Sequence, residues 1–320
     1  MKQAPRFRRP KTRYKVKNWS AYNEALVNRG DITMWIEAGS EKRWYYKGPA
    51  HRGGQFVYSD AAIKIGLTLR QILHLPFRQA EGFLKSVTQI MGMNVRVPDY
   101  TRLCRRMQTF SVQIKPGKRI TDIVFDGSGL KVFGEGEWKV RQHGPGKRRT
   151  WRKLYIGLDP DSKQVQVMDV TPNSVHDADA AKSLLEQNPI PGLKRFYGDG
   201  GFDKWKVYEV LEKQKVNPII PPQKNARIKR HGNSRGKPFA RDKTIRMIRK
   251  NGREGWKIQS GYHRRSLSEN FFFRYKTVFG EHLRSRILQN QKTEVIINTI
   301  ILNKMIKIGG PKSYKVKYAA

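Results

Sequence analysis

Three carboxylates stand out in a chain that is otherwise strongly basic. Asp126 closes the apolar run "IVFD" and is followed by Gly-Ser-Gly, and Asp199 closes "RFYGD" and is followed by Gly200 and Gly201. Glu269 sits inside "YHRRSLSENFFFRYK", residues 262–276. Small residues after a strand-end aspartate let a phosphate backbone come close. Carboxylates brought together repel one another and favour hard divalent ions with oxygen ligands, Mg²⁺ or Mn²⁺. A pair of such ions roughly 3.5–4 Å apart can activate a nucleophile and stabilise the leaving oxygen of a phosphodiester.

The segment around Glu269 reads as an amphipathic helix. At about 100° per residue, Tyr262, Arg265, Glu269 and Lys276 fall within an arc of roughly 60°. Leu267, Phe271, Tyr275 and Val278 occupy an arc of roughly 80° on the other side. Taken alone, Arg265 and Glu269 make an i,i+4 surface pair worth about 0.3–0.5 kcal/mol. The two upstream aspartates make a metal site the more specific reading. Asp203 lies four residues beyond Asp199; because Asp199 directly follows the strand, we take Asp199 as the candidate ligand and Asp203 as the cap of the next helix.

The partner is read from charge. The 320 residues include 65 Lys and Arg against 26 Asp and Glu, a formal net charge of +39. Basic side chains spread over a surface release condensed counterions when they meet phosphates, so the expected partner is nucleic acid. The sequence holds no apolar run near the roughly 18 residues needed to span a bilayer and no signal-peptide pattern, and the expected location is the cytoplasm. The single cysteine, Cys104, excludes an internal disulfide and a Cys-based zinc site and is read as a core residue.

The elements that must position these side chains follow from periodicity and caps. Residues 1–18 read as a basic arm, 19–28 as a short helix stopped by Gly30, and 38–55 as a loop. Ser59 caps one helix; a second runs from Pro76 to Gly92 with Phe77, Ala80, Leu84, Val87 and Met91 on one face; Asp99 caps a third. This arrangement is similar to a helix-turn-helix, with Thr101, Arg102, Arg105 and Arg106 available to a DNA groove. From residue 116 the pattern turns to β. "RITDIVFDGSGLKVFG" reads as strand, Gly-Ser-Gly turn and strand, and two more strands flank "DPDSK". Alternating helix and strand follow, which gives a mixed sheet covered by helices. His176 and Asp177 are set aside as a helix start, and Asp159 and Asp161 as turn residues. Residues 222–258 form a strongly basic insertion, and 281–306 a C-terminal helix ahead of a basic tail.

With these residues in place, the sequence resembles bacterial insertion-sequence DDE transposases, whose catalytic domain has a ribonuclease-H-like fold. Tyr262, Arg265, Glu269 and Lys276 match in full the Tyr-Arg-Glu-Lys signature of one branch. "VFDGSGLKVFG" and "YGDGGFD" look like the first and second aspartate motifs, with Gly201 and Phe202 where relatives often have Ala and Tyr. "LTLRQILHLPFRQAEGFL" and "VPDYTRLCRR" are similar to stretches of insertion sequence family five. The resemblance implies a two-ion metal triad of Asp126, Asp199 and Glu269, with Tyr262, Arg265 and Lys276 holding phosphates of the transposon-end strand. It implies a DNA partner, and a homo-oligomer on paired ends. The implied division is arm 1–18, helical DNA-binding domain 19–115, ribonuclease-H-like domain 116–290 with insertion 222–258, and C-terminal helix with tail 291–320. Two rival readings are a stand-alone metal-dependent nuclease and a DNA-binding remnant or repressor.

Overall fold

Strand alternation decides where the first aspartate points. In a computed structural model, which describes residues 13–49, 52–110, 114, 116–117, 119–132, 151–230 and 235–316, the central strand β2 (Asp122–Val132) sends successive side chains to opposite faces. Ile123 and Phe125 join a core made with α5 (Asp177–Gln187) and α6 (Trp205–Lys213). Val124 and Leu130 join a second core on the other face, with Trp256 from α7 (Ala240–Ser260) and Phe271, Phe272 and Tyr275 from α8 (Ser266–Phe279). Asp126 shares the parity of Val124 and Leu130, so it faces α8.

The sheet is mixed. β3 (Trp151–Leu158) runs antiparallel to β2, and β4 (Val165–Pro172) antiparallel to β3. The crossover through α5 lays β5 (Arg195–Tyr197) parallel beside β2, and α6 leads to β6 (Asn217–Ile219), parallel to β5. The order is β4-β3-β2-β5-β6, with the short β7 (His282–Leu283) parallel to the end of β2. This six-stranded mixed sheet with flanking helices is consistent with a ribonuclease-H-like fold.

A third core lies among the N-terminal helices. Ser59 accepts a hydrogen bond from the Ala62 N–H to start α2 (Asp60–Ile72), and Asp99 accepts from the Arg102 N–H at 2.8 Å to start α4 (Tyr100–Thr109). Between them, α3 (Phe77–Ile90) buries Ala80, Leu84 and Val87 at the predicted spacing. α1 (Trp19–Asn28) has the predicted bounds. Helices α2, α3 and α4 close on Trp35, Trp44 and Tyr58 and on Ile297 and Ile301 of α9 (Leu288–Ile308), whose Val295 and Leu302 turn to the sheet core. Helix α9 therefore ties the helical region to the sheet. Cys104 is half-buried on α4.

Four expectations are corrected. The Gly-Ser-Gly stretch is no turn: β2 runs straight through it, paired with Tyr155, Leu154 and Lys153 of β3. Its glycines serve close approach, since a Cβ at 127 would meet the Tyr155 ring at 2.8 Å and one at 129 the Trp151 ring at 3.2 Å. Asp126 accordingly lies mid-strand rather than at a strand end. Part of the basic arm is a strand, β1 (Arg13–Val16), antiparallel to β8 (Ser313–Val316) in the predicted tail. No local pattern could announce a partner so far along the chain. The residues before α9, read as helix, carry β7 instead.

Candidate active site

Asp126 is the buried centre of the site. Its side chain is 12% exposed. Oδ1 accepts from the Gly127 N–H at 2.9 Å, and Oδ2 from the Ser268 hydroxyl at 2.6 Å and from Arg265 Nη1 at 3.1 Å. Burial pushes its carboxyl above the usual range and the nearby Asp199 charge adds to this, against the opposing effect of the Ser268, Gly127 and Arg265 contacts. A carboxylate in this position gains from any cation placed beside it.

Arg265 supplies a cation from within the chain. Its second nitrogen, Nη2, donates to Glu269 Oε1, so one guanidinium joins a strand carboxylate to a helix carboxylate 143 positions further along. The predicted single helix over 262–276 is divided here: Tyr262–Arg265 form a 3₁₀ turn, and α8 begins at Ser266. The tighter turn leaves Arg265 at the helix start, able to reach both acids, while Glu269 lies in the first turn of α8, where a negative charge suits the helix dipole. Its side chain is 60% exposed.

Asp199 follows β5, as predicted. It caps the 3₁₀ turn Gly200–Phe202 and accepts from the Gly201 N–H at 2.8 Å. Asp126 and Asp199 line one cavity of about 370 Å³ together with Gly127, Ser128, Gly129, Lys153 and Tyr155. Tyr262 packs its ring 5.3 Å from that of Trp256; burial raises its phenol, and the charges of Arg265, Asp199 and Asp126 all reach it. Lys276 stands seven residues beyond Glu269, about 10 Å along the helix axis, where its charge acts on Glu281. Of the four signature residues, Tyr262, Arg265 and Glu269 are thus gathered near Asp126, and Lys276 is set apart.

Among the described residues, no three His, Cys, Asp or Glu side chains are close enough to hold an ion as they stand. Arg265 lies between Asp126 and Glu269. The donor set nevertheless fits a hard divalent ion, being all oxygen, with its buried member pushed up by burial and by a neighbouring negative charge.

Asp203 proves distinct in kind from Asp199. It does not cap α6; its fully buried carboxylate accepts from Arg241 at 2.7 and 2.9 Å, from the Gln223 N–H at 2.8 Å and from the Tyr208 hydroxyl at 3.0 Å. It fastens the basic segment to the sheet domain. That segment contains the long helix α7, kinked at Gly252, where the backbone leaves helical angles.

In the helical region, Arg102 and Arg105 are exposed and Thr101 half-buried. Arg102 pairs with Asp99 at 2.7 Å. Arg106 is 11% exposed, pairs with Asp60 and donates to the Tyr58 carbonyl, so its side chain is committed to the fold. Two groups escaped the sequence reading. Ser268 adjoins Glu269 but points the other way, and its spacing carries no signal. Asp177, set aside as a helix-start residue, lines the same cavity as Asp126 and Asp199.

Comparison with protein families gives the chain a family. A family model described as a transposase DDE domain matches residues 117–304, a span that holds Asp126, Asp199, Arg265 and Glu269. A second model of the same description matches residues 27–135.

Proposed function

Because the chain belongs to the transposase DDE domain family, whose members act on DNA and generally use divalent metal ions, we propose that it is the transposase of an insertion sequence of family five. It binds the terminal inverted repeats, cleaves the DNA at their ends and joins the freed 3′-hydroxyls to target DNA. The observation that carries this reading is the contact of Arg265 with both Asp126 and Glu269, beside the cavity that Asp199 shares.

Asp126, Asp199 and Glu269 would hold two Mg²⁺ or Mn²⁺ ions, which when bound supply nucleophile activation and charge neutralisation at the phosphodiester. The chain's own residues do the rest. Arg265 releases its two carboxylates and turns its planar fork to a strand phosphate, a geometry guanidinium suits. Ser268 keeps Asp126 oriented after Arg265 leaves. Tyr262 and Lys276 hold the same strand, Lys276 about two helical turns away. In the first reaction a water oxygen attacks the end phosphorus and the bond to the 3′ oxygen breaks. The resulting hydroxyl then attacks a target phosphodiester in line, displacing the target's own 3′ oxygen.

Residues 19–115 serve end recognition in this reading, with Thr101, Arg102 and Arg105 as groove contacts and Arg106 in support, and the basic segment 222–258 lies along phosphates. Two copies act together on paired ends. The test is strand transfer with duplexes carrying the repeats that bound the gene. Joined products support a transposase, cut but unjoined DNA a nuclease, and binding alone a repressor. Glu269→Gln is expected to abolish cutting in Mg²⁺ with end binding nearly unchanged; persistent cutting would remove Glu269 from the triad.

A further inference from the structure

One wall of the cavity beside Asp126 and Asp199 is built from residues that the three-carboxylate reading leaves unused. Lys153 and Tyr155 are two apart on β3 and so share a face. Both reach Asp177 at the start of α5: the Tyr155 hydroxyl donates to Oδ1 at 2.6 Å and Lys153 Nζ donates to the same oxygen at 3.1 Å. Lys153 also donates to the Val175 carbonyl at 3.0 Å. Burial pushes the Tyr155 phenol far up, and its contact with Asp177 pushes it further, so it stays a donor at any working pH.

An ammonium has three donors. Two are bound to acceptors that α5 and its entry loop hold in place, so the direction of the third is fixed. Lys153 lines both the cavity of Asp126 and Asp199 and an adjoining one that includes His176, Lys204 and Lys206. Asp177 and Asp199 approach Gly201 from two sides, 3.4 and 3.0 Å from where its Cβ would stand. This brings the Lys153 brace beside the second candidate metal ligand. Arg152, the other cation among the described residues of the cavity wall, donates Nε to Gln291 at 2.8 Å and is thereby turned to α9.

As a stabilising pair the arrangement is weak. Lys153 and Asp177 keep 33% and 46% of their side-chain surface exposed, and solvent screens pairs so exposed until they contribute little. As a means of aiming a cation into a cavity lined by Asp126, Asp177 and Asp199, it has a clear purpose, because a fixed positive charge offsets the repulsion between those carboxylates and a polyanionic strand.

We propose that Lys153 grips a backbone phosphate beside the scissile one, and that Asp177 and Tyr155 are positioning residues that aim it. The inference rests on the transposase reading for the identity of the strand.

The test is a scan of end duplexes in which single uncharged methylphosphonate linkages step across the cleavage position. Each is used with the wild type, Lys153→Ala and Lys153→Arg, first for single-turnover cutting in Mg²⁺ and then for binding in Ca²⁺. A charge-assisted hydrogen bond contributes about 10–100-fold. One linkage should slow the wild type by that factor and cost Lys153→Ala nothing further, with Lys153→Arg recovering part of the rate. Asp177→Asn should fall between, because Lys153 remains but is loosely aimed. Equal sensitivity of Lys153→Ala and the wild type at every linkage, or a wild-type rate for Lys153→Ala, would reduce the cluster to a surface ion pair. Should the wild type cut no DNA at all, the transposase reading fails, and the binding scan still decides whether Lys153 meets one phosphate. Melting temperatures within about 1 °C of wild type are expected for the Lys153 variants.

Discussion

Asp199 and Asp203 lie four residues apart, and the proposed function gives them opposite roles that one pair of substitutions separates. Asp203→Asn keeps the side chain's shape but removes the charge facing Arg241, whose own side chain is 13% exposed. Breaking a buried pair from one side costs about 3–5 kcal/mol, because the remaining charge is left uncompensated. Unfolding entropy of about 2.1 cal/mol/K per residue gives roughly 0.7 kcal/mol/K for a chain of this length, so the melting temperature should fall by about 4–7 °C. Burial alone would raise the Asp203 carboxyl, but the Arg241, Gln223 and Tyr208 contacts hold it below the usual range. A depressed carboxyl stabilises the fold fully above its unfolded value near 3.9, and that contribution is lost as pH falls through the folded value. The melting gap between wild type and Asp203→Asn should therefore be full at pH 6–7 and narrow below about pH 4. Scanning calorimetry measures it. At 20 °C the variant should still cut end DNA, whereas Asp199→Asn should melt like the wild type and cut nothing. A folded Asp203→Asn that melts normally and has lost cutting would exchange the two roles and refute the reasoning.

Two further outcomes test the site and the sheet. Arg265→Ala should slow strand transfer about 10–100-fold, the worth of a charge-assisted contact, and Lys276→Ala should slow it less; gel analysis of joined end duplexes reads both, and an unchanged rate for Arg265→Ala would leave only a salt-bridged surface. Gly157→Ala would place a Cβ 2.4 Å from Ile123 Cδ1 and 2.6 Å from Val167 Cγ2, both in the core between sheet and α5. Overpacking of this kind costs about 1–3 kcal/mol, read as a lower urea midpoint; an unshifted midpoint would contradict the packing of β2 against β3.

Much of the architecture was legible because its signals are local. Ser59 and Asp99 announce their helices by a side-chain oxygen three residues ahead of the N–H it accepts, and "DADAAKSLLEQ" has the bounds of α5. What the sequence hid depends on distant partners. The pairing of β1 with β8 joins the two ends of the described chain. Gly127 and Gly129 looked like a turn because glycine is punctuation in isolation; only the rings of Tyr155 and Trp151 across the strand pair give them another reason. Asp203 looked like a cap until Arg241, 38 residues on, supplied its partner.

The same distinction applies to the stripe of Tyr262, Arg265, Glu269 and Lys276. An even 100° step assumes one α-helix, but the first four residues of the segment wind as a 3₁₀ turn. The tighter winding shifts Tyr262 and Arg265 off the even step, although the backbone at Arg265 and Ser266 stays right-handed helical. Arg265 reaches Glu269, its neighbour one turn on, and also Asp126 on the sheet. The second contact therefore changes the meaning of the pair. An i,i+4 contact on an exposed helix stabilises little, whereas the same guanidinium shared with a buried strand carboxylate fixes where helix α8 meets β2. In the proposed function it also sets a condition: Arg265 must let go before the three carboxylates hold a metal ion. A substitution that keeps the charge but shortens the fork's reach, Arg265→Lys, separates these two duties, since an ammonium can neutralise one carboxylate but cannot span both.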